Sequence, residues 1–301
     1  MVYLESFSFP SLKEEEEFLS SWYNERVVMG MPTGIINQYP FNVLSQKGLE
    51  SLDFEDITIL YGGNGSGKST ALNAISGKLG LVRNSGYNKG NFFEDYCELC
   101  EYEEAEWGDK ILLQEKSTLI TSDDIFKYML DTRRQNDFVN NRRDKAIDDW
   151  KEIRSRKIKH INFETGEGVD YYKQMKQAQK QTYSQYVASH VGEEIHSYSN
   201  GETGFMKFIE SIVPDRLYIL DEPENSLSCE LQMRLAEYIV ESVRFYGCLF
   251  IIATHSPFLL AIDRAKVYNL DGNPATISKF WELPNMKLYY ELFSKFDRNL
   301  W

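Results

Sequence analysis

Residues 57–79 read ITILYGGNGSGKSTALNAISGKL. Ile57 to Leu60 form a short run of apolar and β-branched residues, which predicts a buried strand. Gly62 to Thr70 follow, and then Ala71, Leu72, Ile75 and Leu79 recur at helical spacing. Strand, glycine-rich loop and helix, with the spacing G-x-x-x-x-G-K-S, make a phosphate cradle. The residue types suit that chemistry. Glycines let successive backbone N–H groups turn inward on phosphate oxygens, and the positive end of the helix adds to the field there. Gly62, Asn64, Gly65, Ser66, Gly67 and Thr70 thus line the cradle, Lys68 neutralises the β- and γ-phosphates, and the Ser69 hydroxyl is placed for Mg²⁺. A chance glycine-rich turn would lack the strand before it and the helix after it. The stretch predicts a nucleoside triphosphate site.

Composition bounds the rest. The 301 residues suffice for one large core, or for one core with an inserted subdomain. Hydrophobic content of 42% and 14% aromatics describe an ordered globular chain. A net charge of −13 argues against nucleic acid over the whole surface but leaves room for a local basic patch. No apolar run is long enough to span a bilayer, and the first residues lack a basic leader with an apolar core. With four cysteines beside a nucleotide site, these features predict a cytoplasmic setting.

Upstream of the loop, Val2, Leu4, Phe7 and Phe9 predict an opening strand. Glu14–Glu17 with Phe18, Leu19 and Trp22 predict a short helix with an acidic face. Residues 91–109 hold eight acidic residues and no basic one, which reads as a solvated edge. Cys97 and Cys100 lie within it. A lone C-x-x-C is weak evidence for zinc, because four ligands are needed and Cys229 and Cys248 belong to other elements. Ile111 to Gln114 read as a strand ending in an amide. From about Asp123 to His190 the composition turns charged and helix-forming, with Glu164–Gly168 breaking the segment into two helices. Residues 142–159 carry eight Lys/Arg (Arg142, Arg143, Lys145, Lys151, Arg154, Arg156, Lys157, Lys159) against four Asp/Glu. The interleaved carboxylates make a solvent-facing helix of alternating charge the plain reading, and a cationic face for nucleic acid the sharper one.

Two further strands carry chemistry. Arg216–Leu220 leads into Asp221-Glu222, where the first carboxylate suits Mg²⁺ and the second is placed to polarise an attacking water. Leu249–Thr254 leads into His255-Ser256-Pro257. Ligands of open parallel sheets gather at the C-terminal strand edges, so Lys68/Ser69, Asp221/Glu222 and His255 are consistent with one site.

Between the phosphate loop and the Asp221-Glu222 strand lies Ser197-Tyr198-Ser199-Asn200-Gly201-Glu202. It resembles the signature loop of the ABC-type ATPase superfamily, and helically spaced Phe205, Met206, Phe208 and Ile209 follow it. By this resemblance Gln114 matches the Q-loop glutamine, Asn225 to Ser228 the D-loop, and His255 the switch histidine. The likeness covers roughly 35–120 and 190–285. Tyr39-Pro-Phe-Asn42, Ser199-Asn-Gly-Glu202 and Ala253-Thr-His-Ser-Pro-Phe-Leu-Leu260 are similar to small stand-alone bacterial members related to SMC, DNA-repair and predicted AAA-family ATPases. The chain departs from the usual pattern at Asn200, where the signature has glycine, and at Ser228, where the D-loop usually has aspartate. Asn adopts glycine-like turns at modest cost.

The resemblance implies an α/β fold: a P-loop ABC-type ATPase head with a mixed β-sheet flanked by helices and a helical insertion. Residues 1–122 and 191–301 would form the ATPase domain around a charged insertion at 123–190. It further implies a head-to-tail homodimer in the ATP state. Each ATP would be held by Lys68, Ser69, Gln114 and Asp221 of one subunit and by Ser199 and Gly201 of the other. Mg²⁺ would sit on Ser69, Gln114 and Asp221, with Glu222 as base and His255 on the γ-phosphate. Adenine needs a stacking face, for which Tyr39 and Phe41 are both candidates. The implied function is an ATP hydrolase without membrane segments whose dimerisation works on a macromolecular partner. That partner is nucleic acid or an effector protein, in genome maintenance or phage defence. The alternative is the nucleotide-binding subunit of a membrane transporter. Against it stands the segment from Gln114 to Ser199, longer and more charged than a compact membrane-gripping subdomain. A small-molecule kinase would leave the signature loop without an account.

Overall fold

The computed structural model describes residues 4–30, 37–84, 86, 89–104, 117–155, 173, 176, 182, 185, 200–225 and 227–300. The chain divides into two compact units: Met1–Phe126 with Asn200–Trp301, and Lys127–Ser199.

The first unit is built on a seven-stranded sheet. Its strands are β3 (Ile57–Tyr61), β4 (Val82–Arg83), β6 (Thr118–Thr121), β7 (Leu217–Asp221), β8 (Leu249–Ala253), β9 (Lys266–Asn269) and β10 (Thr276–Ile277), in the order β10-β9-β3-β8-β7-β6-β4. All neighbours pair parallel except β10 with β9. Every residue of β3 and β8 is buried, which is why these strands read as unbroken apolar runs rather than alternating ones. Helix α2 (Lys68–Leu79) packs against β7 and β8, and the later helix Cys229–Tyr246 packs against β8. Register sets the edge that matters. Leu60 pairs with Ala253, Ala253 with Asp221, and Asp221 with Thr121, so the strand ends align.

A second, antiparallel sheet has the order β2-β1-β5, from β1 (Leu4–Ser8), β2 (Ser51–Asp53) and β5 (Glu101–Glu104). Helix α1 (Leu12–Val28) is longer than its sequence suggested. Ser11 and Glu14 form a capping box that starts it cleanly, and it turns Phe18 and Trp22 onto the core. Phe18 stacks on Phe41 at 5.2 Å, and Trp22 meets Phe92 edge-on at 4.9 Å. The acidic stretch 91–109 is more than a solvated edge. In α3 (Phe93–Leu99) and β5 the described carboxylates point outward or lie half-exposed, while Phe92, Phe93, Tyr96, Cys97 and Cys100 are buried. Burial pushes the Cys97 thiol up to about 11 and the Cys100 thiol higher still. Neither is a ready thiolate for metal. Among the described residues no cluster of three His, Cys, Asp or Glu side chains could hold a metal ion.

Further helices among the described residues are α4 (Ser122–Ser155), α5 (Asn200–Ser211), α6 (Cys229–Tyr246), α7 (Pro257–Leu260) and α8 (Pro284–Leu300). Among the described residues no helix is long and apolar enough to cross a membrane. Reciprocal hydrogen bonds between Thr121 and Asp124 start α4. Most of this helix belongs to the second unit. Ile125, Met129, Thr132, Asn136 and Ala146 are its buried residues, and Val139, Arg143 and Trp150, among its half-buried ones, continue their line. Their spacing alternates between four and three, the seam pattern of a coiled coil. Arg143 is therefore a seam residue, hydrogen-bonded to Asn140, rather than part of an outward cationic face. Exposed Arg142 lies over the Phe138 ring, and exposed Lys151 pairs with Asp148. Arg156, Lys157 and Lys159 lie outside the described residues.

Candidate active site

The turn from β3 into α2 is built around its glycines. Gly67 has φ +98, and a Cβ there would lie 2.8 Å from Leu44 Cδ2; a Cβ on Gly62 would lie 2.6 Å from Ser66 Oγ. Only glycine lets the loop close so tightly. Asn64 to Thr70 together with Glu222 line a cavity of about 270 Å³, the size of a phosphate cradle. The loop is braced from outside by the Asp271 carboxylate, which accepts from the Gly63 N–H at 2.7 Å.

Lys68 is almost fully buried, 4% exposed. Its ammonium donates to Gly62 O at 2.7 Å, Gly63 O at 3.2 Å and His255 Nε2 at 2.9 Å. An ammonium has no acceptor, so His255 accepts through Nε2 and carries its proton on Nδ1. Burial lowers the Lys68 pKa, opposed by the carboxylates of Glu222, Asp221, Asp271 and Glu224. Burial likewise raises Asp221, to about 6, with Glu222 adding to the rise and Ser69, Lys68 and Arg83 opposing it. The Ser69 hydroxyl donates to Asp221 Oδ1 at 3.2 Å. Two hard oxygen donors side by side, one a desolvated carboxylate, fit Mg²⁺.

Glu222 has a positive φ of 49, uncommon for a residue that is not glycine. Its N–H donates to Ala253 O at 2.8 Å, and its Oε2 accepts from Asn225 Nδ2 at 3.0 Å. Its Oε1 stands 3.6 Å from His255 Nε2. Lys68, Ser69, Asp221, Glu222 and His255 therefore meet at one strand edge.

Other expected residues lie elsewhere. Gly201 occupies the first turn of α5 and does not line the cavity. Gln114 and Ser199 lie outside the described residues. Phe41 is 3% exposed and belongs to the core with Phe18, Phe92 and Tyr96, which removes it as an adenine platform; Tyr39 is half-buried. Ser228 accepts from the Leu231 N–H as the N-cap of α6, a task serine and aspartate perform equally well. A larger cavity, about 1040 Å³, is lined mainly by apolar side chains such as Phe258, Trp281, Tyr290 and Phe293 and offers no phosphate cradle.

Sequence reading missed Glu15, Glu224 and Asp271. Glu15 on α1 is buried and accepts from the Asn42 N–H at 2.7 Å and the Ser45 hydroxyl at 2.6 Å, fixing the loop whose Leu44 backs Gly67. The acidic run Glu14–Glu17 hid it. Asp271 and Gly63 are 208 residues apart, and nothing local in the sequence joins them.

A family model described as "ABC transporter" matches residues 51–225, more than half of the chain. The chain belongs to the ABC family of ATPases. A second model, "AAA domain, putative AbiEii toxin, Type IV TA system", matches residues 195–261 of this ATPase. Among solved structures it is similar to the Smc head domain of Pyrococcus furiosus with an extended coiled coil, bound to the C-terminal domain of ScpA. Identity there is 14% and the TM-score 0.38, covering 80% of this chain and 94% of that one. It is also similar to the ADP- and Pi-bound dimer of the ATP-binding cassette MJ0796, with 12% identity, a TM-score of 0.34 and coverage of 76% and 88%. No curated protein matches it significantly.

Proposed function

We propose that this ABC-type ATPase hydrolyses ATP–Mg²⁺ within a head-to-tail homodimer and passes dimer closure to a macromolecular partner through its helical unit. One observation carries the reading: Lys68, Ser69 and Glu222 line a cavity that Gly201 does not, with Asp221 on Ser69 and His255 on Lys68 directly behind them. In this reading a second subunit supplies Ser199 and Gly201 across the γ-phosphate. Lys68 and the loop amides bind the phosphates. Ser69 and Asp221, with Gln114, would hold Mg²⁺, which supplies charge neutralisation on the phosphate oxygens. Glu222 orients and deprotonates the attacking water; once Lys68 turns to the nucleotide, His255 shifts its proton from Nδ1 to Nε2 through solvent and donates from there to the γ-phosphate. Catalysis is then mostly positioning and charge stabilisation.

The seam of α4 and its interleaved surface charges favour a protein partner over a phosphate backbone. A transporter-subunit role would instead require a membrane subunit gripping residues 127–199. Light scattering tests the sandwich. Glu222→Gln protein should double its mass with ATP and not with ADP, and Ser199→Arg should block the change by placing bulk and charge at the shared phosphate. One mass under all conditions, with full ATPase activity, would defeat the dimer.

A further inference from the structure

The loop after β7 and the loop after β8 are tied by a residue that no motif assigns. Glu224 Oε1 accepts from the His255 N–H at 2.6 Å and from the Ser256 N–H at 3.2 Å. Its Oε2 is buried without a hydrogen-bond partner among the described residues. A carboxylate oxygen held out of water without a partner is a free-energy cost that local structure does not explain. A second tie runs beside the first. The Ser256 hydroxyl donates to Gln232 Oε1 at 2.8 Å, and Gln232 Nε2 donates to Leu227 O at 2.9 Å.

We propose that Glu224 is a positioning residue for His255, holding the imidazole in register with the loop that carries Glu222. Two residues separate Glu224 from Asp221, and one separates it from Glu222. A shift of that loop therefore moves the backbone N–H groups of His255 and Ser256 with it. Ser256 is also the N-cap of α7, accepting from Phe258 and Leu259, so the far side of the histidine is anchored and cannot drift independently. What Glu224 supplies is one oxygen that accepts two N–H groups. The side-chain amide of glutamine has the same oxygen. The inference rests on the reading of His255 as a γ-phosphate contact.

Steady-state ATPase kinetics on the full chain test it. Glu224→Ala should lower kcat about 10- to 30-fold while KM and fluorescent-ATP affinity stay within about twofold, the pattern of a lost transition-state interaction. Glu224→Gln should recover to within about threefold of wild type. In a His255→Ala background, Glu224→Ala should cost no more than about a further twofold. A Glu224→Ala enzyme with wild-type kcat, a glutamine variant no better than alanine, or full additivity with His255→Ala would each overturn the role. Should His255→Ala itself turn over normally, the reading of His255 fails instead, and the two failures are told apart.

Discussion

The phosphate cavity and helix α4 are both rich in charge, and they use it in opposite ways. At the phosphate site, charges converge: Lys68 meets two loop carbonyls and His255 within 3.2 Å, and Asp221 and Glu222 close in from the end of β7. Along α4 they are dispersed, with a weakly polar seam at alternating spacing and Arg142, Lys145, Asp148 and Lys151 spread over the exposed remainder. Convergence strips water from ions and strengthens every interaction between them, whereas dispersion leaves each ion solvated and worth little. A count of cations along the chain cannot separate the two cases. The spacing of the covered residues can.

The sharpest test of that contrast has the largest effect. Glu222→Gln should retain ATP binding while turnover falls about a hundredfold or more, and Lys68→Ala should lose binding itself. Reversing Arg142 and Lys145 to Glu together should change turnover less than about twofold and produce no salt-dependent change in nucleic-acid mobility. Near-normal hydrolysis by Glu222→Gln would remove that residue from the chemistry. A steep salt slope abolished by the reversals would show that α4 concentrates charge after all, at about −0.7 to −0.9 per phosphate contact.

A smaller effect separates seam from surface within α4. Ala146→Asp buries a carboxylate in the seam and should lower hydrogen-exchange protection of residues 127–155 by about 2–4 kcal/mol, whereas Arg142→Glu should change it by less than about 0.5 kcal/mol. ATP affinity should hold in both. Equal losses at the two positions would end the seam assignment.

The smallest effect belongs to Glu15. Burial raises its pKa, so the neutral form suits the folded state and the ionised form is a burden. The stability tied to the neutral carboxyl is complete below the ordinary glutamate value of 4.5 and is lost as pH rises through the folded value. Glu15→Gln keeps an oxygen for Asn42 and Ser45 and removes the charge. It should stabilise the chain at neutral pH and leave it unchanged at pH 4, read by denaturant midpoints. Equal shifts at both pH values would assign the gain to something other than charge.

The strand-loop-helix at 57–79 and the apolar runs before Asp221 and His255 were legible because each is a local pattern with a chemical reason. Parallel pairing then follows from strands buried on both faces. Other features were hidden because they depend on contacts between distant segments. Phe41 and Tyr39 look alike two residues apart, and only the packing of α1 and α3 puts Phe41 in the core. Glu15 stands in a run of four glutamates and is the one turned inward. Glu224 follows the Asp221-Glu222 pair so closely that it reads as one more loop acid, yet its partners are backbone amides 31 and 32 residues on.

Glu222 carries a last consequence through its backbone. At φ 49 it occupies a conformation that glycine or asparagine would adopt with ease and that costs glutamate about 1 kcal/mol. Left to conformational preference alone, this position would not hold a glutamate. The chain keeps there a side chain that its own main chain disfavours, anchored by the N–H to Ala253. A residue retained for packing takes stability with it when replaced; one retained against its dihedrals takes only its chemistry.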